Sequence, residues 1–152
     1  MNTYSIYPIK KEFARRYYYR SDILYRFLKQ YHENNKNQVI NDQFKEITCF
    51  FSTKELNTKI KSLYNNKAIV KDGNNSVEIE QDNHYISLHI SEKQIDFRCD
   101  MLQDAEVLLF PILKLFHPSL FVLDNNYNNY GWISPVTKLK DHLSEQVLYS
   151  TL

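Results

Sequence analysis

Two kinds of residue could do chemistry here: scattered histidines and thiols, and a run of basic and aromatic residues near the start. The histidines are His32, His84, His89, His117 and His142, and the thiols are Cys49 and Cys99. None of the five sits at ligand spacing from another or from a cysteine, and CxxC and HExxH are absent, so no metal site is expected. His84 and His89 are five apart and would face opposite sides of a regular strand. Nucleophilic catalysis needs an activated Ser or Cys beside a base, and no GxSxG occurs. Cys49 lies between Thr48 and Phe50 in an apolar run. Cys99 shares a strand face with Ile95 and Phe97, which favours a packed thiol over a reactive one. Asp100 and Asp104 fall at a helix start, where carboxylates stabilise the helix dipole without a catalytic role. With only Gly73 and Gly131 in the chain, phosphate-cradling loops are excluded. The reading is a non-enzyme without a cofactor.

The basic and aromatic run is more informative. Lys10, Lys11, Arg15, Arg16, Arg20, Arg26 and Lys29 face Glu12 and Asp22, a local net of +5 within a formal net of +1. Phe13, Tyr17, Tyr18 and Tyr19 are interleaved with them. Such a pattern can track phosphates and stack bases. It is also the composition of protein-binding hot spots. The near-neutral chain and the lack of a nucleic-acid-binding signature favour a protein partner, with a nucleic-acid-binding regulator as the alternative. On a helix, Phe13 and Tyr17 form one stripe, flanked by Lys10 and Arg20, and Ala14 and Tyr18 form the next. Either one stripe packs inward and the other stays available, or a second helix covers it.

The elements that must position these residues follow from periodicity. Tyr4–Ile9 reads as a strand, with Pro8 marking an edge or a strand end. Lys10 to about Arg20 reads as a short helix, and Asp22–Glu33 as a second, carrying Ile23, Leu24, Phe27, Leu28 and Tyr31. Phe44–Phe51 is apolar and ambiguous. Ser52 and Glu55 match a capping box ahead of Leu56, Ile60 and Leu63. Ala68–Val70, a turn at Asp72–Asn75, then Val77–Ile79, Tyr85–Ile90 and Gln94–Cys99 read as an antiparallel meander. A helix capped by Asp100 or Gln103 runs to Phe116, kinked at Pro111. Leu120–Leu123 and Tyr130–Pro135 read as strands, and Thr137–Leu148 as an amphipathic helix through Leu139, Leu143 and Val147. Trp132, the single tryptophan, beside Gly131, implies packing where backbones approach closely, so Tyr18, Gly131 and Trp132 are assigned structural roles. The fold class is α+β: one domain over residues 1–152, with a mostly antiparallel sheet and helices on one face in two layers. No apolar run is long enough to span a membrane. Two unpaired thiols suit a reducing cytoplasm.

The stretch Tyr4-x-x-Tyr7-x-Ile9-Lys10-x-Glu12-Phe13-Ala14-x-x-Tyr17, with a following helix ending Tyr31-His32, resembles the sporulation inhibitor of replication family, SirA. Tyr130-Gly131-Trp132-Ile133-Ser134-Pro135-Val136 resembles that family's YGW-x-x-PV block. The resemblance runs from about Tyr4 to Lys138. It implies a non-enzymatic, cytoplasmic protein that binds the N-terminal domain of the replication initiator DnaA. It places the partner surface on the Phe13–Tyr17 stripe and the region of Pro135.

Overall fold

The computed structural model describes residues 1–65, 68–71, 75–126 and 129–133. In chain order the elements are β1 (Asn2–Pro8), α1 (Lys11–Tyr17), α2 (Ser21–Glu33), α3 (Gln38–Ile47), α4 (Thr53–Tyr64), β2 (Ala68–Lys71), β3 (Ser76–Gln81), β4 (His84–Ile90), β5 (Ile95–Cys99), α5 (Leu102–Leu108), α6 (Phe110–Phe116), β6 (Leu120–Asp124) and β7 (Tyr130–Trp132). The strands form one sheet in the order β2-β3-β4-β5-β1-β6-β7, and every pairing is antiparallel. This is the expected α+β class. Residues 72–74 of the expected turn lie outside the described residues, as do Pro135 and the stretch 137–148.

The layering differs from expectation. Tyr4 and Ile6 of β1 point into one core, with Leu56 and Ile60 of α4, Leu108 of α5 and Ile112 of α6. Tyr7, next along the same strand, points into a second core with Ala14 of α1, Leu24 and Leu28 of α2, and Phe44 and Ile47 of α3. Strand β6 splits in the same way: Leu120 serves the first core, Phe121 and Leu123 the second. Helices therefore cover both faces of the sheet at β1 and β6, giving three layers there. The cause is legible in β1, where apolar residues occupy both alternating faces, as in any strand buried on two sides. Farther out, the second face of the meander carries Glu78, Ser87, His89 and Arg98, none of them buried.

Pro8 does end β1, but β1 sits in the sheet interior between β5 and β6. The missing N–H of Pro8 falls past the end of the β5 pairing, which stops at Ile6, and its carbonyl accepts from Cys49 N–H at 2.8 Å. The Phe44–Phe51 stretch resolves into the end of α3 and an extended exit. Asn37 caps α3, its side chain accepting from the N–H groups of Val39 and Ile40 at 3.0 and 3.2 Å. Ser52 precedes α4 but makes no side-chain capping bond. The entry is fixed instead by buried Phe51, whose N–H donates to the Glu92 carbonyl. Pro111 does not kink a single helix. The chain breaks at Leu109, and Pro111 falls in the first turn of α6, where its missing N–H leaves no bond unmade. Asp104, not Asp100 or Gln103, supplies the α5 cap, accepting from Met101 N–H at 3.4 Å. The β3–β4 hairpin turns on Asp82 and Asn83, both at positive φ, as a two-residue hairpin loop requires.

Tyr7 is fully buried, and its hydroxyl has no hydrogen-bond partner among the described residues. An unpaired buried hydroxyl costs stability, and deleting it leaves the ring's packing against Phe44 intact. Tyr7→Phe is expected to melt no lower than the parent, with a gain of up to about 1 kcal/mol in urea unfolding. A loss of that size would mean that the hydroxyl is bonded, to neighbouring Ser5 or through water.

Candidate functional site

A seven-residue helix is unstable alone, so α1 depends on its surroundings. Its start is pinned through Lys10, whose N–H donates to the Ile47 carbonyl at 2.8 Å. Just before it, Ile9 N–H donates to Ser119 O at 2.9 Å. Ala14 and Tyr18 form the inward stripe. Tyr18 is 7% exposed, stacks on Trp132 (ring centroids 6.3 Å, 20°) and meets Tyr19 edge-on at 5.1 Å.

Phe13 and Tyr17 occupy the other stripe and are half-buried against the second core. They are neither free nor hidden. They wall a cleft of about 310 Å³, with Ile23, Leu24 and Phe27 of α2 and Ile47 of α3 opposite. Arg16, Gln43 and Glu46 complete the lining, and the Arg16 guanidinium lies 5.5 Å from the Phe13 ring centroid. α2 therefore covers the stripe in part and converts it into one side of a groove. Groove walls of this kind bind better than a bare stripe, because their side chains are already held in place.

The expected basic flank is rearranged. Lys10 and Arg20 do not line the cleft. Arg20 turns to Asp22, Nε to Oδ1 at 3.3 Å. That bond lowers the Asp22 carboxyl and raises Arg20, yet both groups are exposed and such a pair contributes little. Lys10 belongs to a second basic group with Lys93 and Lys45, which sits beside Cys49. Burial first, then Lys10, holds the Lys93 ammonium below its ordinary value. Burial raises the Cys49 thiol against the pull of Lys10 and Lys93. The Lys93 Nζ stands 4.5 Å from the ring centroid of Phe50, which is 65% exposed. Sequence reading missed Phe50 as a surface aromatic. The available signal was alternation in the extended exit from α3, which buries Phe51 and turns Phe50 outward.

The YGW block lies at the sheet edge. Trp132 packs edge-on against Phe121 (4.8 Å, 72°) and under Tyr18. Tyr130 stacks on Tyr25 of α2 (4.4 Å, 16°). The block thus holds the helices that carry the cleft. Gly131 does not fit the expected close approach of backbones, since a Cβ built there would meet none of the described residues within 4 Å. Pro135 lies outside the described residues.

The family model described as "Sporulation inhibitor of replication protein SirA" matches residues 2–137. The chain belongs to the SirA family. It is similar to the Sporulation inhibitor of replication protein SirA of Bacillus subtilis (strain 168), 23% identical over 138 residues, which span 88% of this chain and 93% of that protein. Membership makes this chain one of the sporulation inhibitors of replication.

The remaining chemistry-bearing groups assemble differently. His84 Nδ1 and Asp104 Oδ1 are 2.8 Å apart, tying β4 to α5. Burial first, then Asp104, pushes the Cys99 thiol up to about 11, so the thiol stays protonated at neutral pH. Among the described residues no group of three or more His, Cys, Asp or Glu could hold a metal ion. No helix among them is long and apolar enough to cross a membrane.

Two measurements follow from this geometry. Trp132→Ala and Tyr18→Ala should each destabilise by about 2–3 kcal/mol, below the full cost for a wholly buried ring in the case of half-buried Trp132. Gly131→Ala should be neutral within about 0.5 kcal/mol, because none of the described residues opposes its Cβ. Denaturant curves for the three variants check this. The Cys99 shift adds a pH dependence. Between its ordinary value of 9.0 and about 11, the unfolded chain releases a proton that the folded chain retains. That contribution to stability is whole below pH 9 and is lost as pH rises through 11. Unfolding free energy should therefore fall across this window, and fall less in Cys99→Ala.

Proposed function

We propose that this protein restrains replication initiation by gripping the N-terminal domain of DnaA and covering the surface through which that domain self-associates or meets other proteins. It acts in the cytoplasm by occlusion, without catalysis or cofactor. The single observation that carries the reading is the convergence of Phe13 and Tyr17 on a preformed apolar cleft between α1, α2 and α3. The stripe that the family resemblance assigns to the partner is also where this chain offers half-buried rings beside an open concavity. Exposed Phe50 under Lys93 extends the same chemistry. Phe13 beside Arg16, and Phe50 beside Lys93, suit a partner surface that rims its apolar centre with carboxylates. The nucleic-acid alternative is less well supported. Stacking on bases needs open ring faces, and the Arg16 guanidinium already lies over the Phe13 ring.

Calorimetric titration against the DnaA N-terminal domain tests the proposal. Phe13→Ala and Tyr17→Ala should each weaken binding by about 2 kcal/mol or more, as expected of a hot spot. Being half-buried, each should also lower stability by about 1–2 kcal/mol while leaving the chain folded. Tyr18→Ala should lose more stability than affinity. Folded Phe13→Ala and Tyr17→Ala variants that bind like the parent would place the interface elsewhere. Binding of the parent to duplex DNA that survives physiological salt would favour the alternative.

A further inference from the structure

Lys93 is half-buried without an ion pair. Its Nζ donates to Thr48 Oγ1 at 3.1 Å and to the Lys45 carbonyl at 3.5 Å. It lies 6.0 Å from the Phe44 ring centroid and 4.5 Å from that of Phe50. Lys10 is close by, because the bridge between Ile9 and Thr48 brings the start of α1 against the exit of α3. Among the described residues no carboxylate lies at ion-pair distance from Lys10, Lys45 or Lys93. Lysines gathered without a counterion repel one another, and drawing one out of water adds a desolvation cost. Burial first, then Lys10, with Lys45 adding to it, lowers the Lys93 ammonium, and the pull of Glu92 is smaller than the push of either lysine. An anion seated among these ammonium groups would offset both costs.

Lys45 and Lys93 also line a hollow of about 370 Å³ between α2, α3 and the β4–β5 turn, a volume in the range of small-molecule clefts. The Tyr31 and Phe44 rings, stacked at 3.8 Å and 5°, line it too. So does Asp96, whose Oδ1 accepts from Ser5 Oγ and Gln94 Nε2, each at 2.7 Å. Its Oδ2 makes no hydrogen bond among the described residues. We propose that Lys93 and Lys45, flanked by Lys10, bind the phosphate group of a small phosphate monoester, and that Asp96 accepts from a hydroxyl or amine on the body of that ester. Lysine serves phosphate as a point charge, whereas the planar fork that matches a carboxylate belongs to arginine, and no arginine lines this hollow. A phosphate monoester carries about −1.5 to −2 at neutral pH, which balances two lysines where a carboxylate balances one.

Calorimetric titration of the full chain with glycerol 3-phosphate, inorganic phosphate and glycerol, at low ionic strength, tests this. Glycerol 3-phosphate should saturate a single site, inorganic phosphate should bind there more weakly, and glycerol should give no heat. Lys93→Gln should weaken glycerol 3-phosphate roughly tenfold and Lys45→Gln by less, with the melting temperature of each variant held. Lys54→Gln, exposed on α4, should bind like the parent. A folded Lys93→Gln that binds like the parent would overturn the proposal. So would an equal loss in Lys54→Gln, the mark of an anion drawn to positive surface in general. Inorganic phosphate binding as tightly as the ester would overturn the role given to the hollow and Asp96. A phosphoserine peptide binding tenfold tighter than glycerol 3-phosphate would assign the phosphate to a protein and overturn the small-molecule reading.

Discussion

The structure depends on burying both faces of β1. This strand is central in the sheet, and Ser5, Ile6 and Tyr7 are all inaccessible to solvent, as is Ile9 just past its end. A strand with apolar residues on both alternating faces is stable only between two layers. Helices α4–α6 supply one layer and α1–α3 the other. Ser5, the polar residue in this run, is accommodated because its hydroxyl donates to Asp96 at 2.7 Å and accepts from Asn125 at 3.3 Å. Without the second layer, Tyr7 and Phe121 would face water and α1 would have nothing to rest on.

That constraint creates the candidate site as a by-product of packing. Helix α1 is too short to hold itself, so it is clamped at its start by Ile47 and at its end by Tyr18 against Trp132. Helix α2 must cover Leu24 and Leu28 against the same core, which brings Ile23 and Phe27 opposite Phe13 and Tyr17. The cleft is what remains when three helices of unequal length cover two strands. Its walls are rigid for the reason that the core is, and a rigid concavity loses little entropy on binding.

Much of this was legible in the sequence. The meander was readable because Val77, Ile79, Ile86, Leu88, Ile90, Ile95 and Phe97 alternate strictly against a polar face that stays open. Helix α2 was readable from its stripe, and the Phe13–Tyr17 stripe from i, i+4 spacing. The third layer was not read, although β1 carried its signal in apolar residues on both faces. Helix α3 was hidden because Val39 and Ile40 of its first turn follow a polar loop and its apolar end runs straight into the extended Thr48–Phe51, so two periodicities overlap. The Lys10 and Arg20 flanks failed for a different reason. Spacing along a helix says which residues are neighbours, but Lys10 precedes α1 and Arg20 precedes α2. Both are cap positions, where the backbone turns and side-chain direction no longer follows the helical repeat.

The YGW block shows how a distant segment can matter to a site it does not line. Neither Tyr130 nor Trp132 borders the α1–α2–α3 cleft, yet each stacks on a helix that builds it, Tyr130 on Tyr25 and Trp132 on Tyr18. Both rings lie on the same face of β7, two residues apart, so the strand acts as a brace across α1 and α2. Gly131 points the other way, into open space, and no steric demand on this face selects glycine. The two flanking aromatics are therefore sufficient to explain the support the block gives the cleft, and the glycine answers to the other side of the sheet. One three-residue strand thus braces the cleft through its rings while all three of its residues border the concavity on the α5–α6 side.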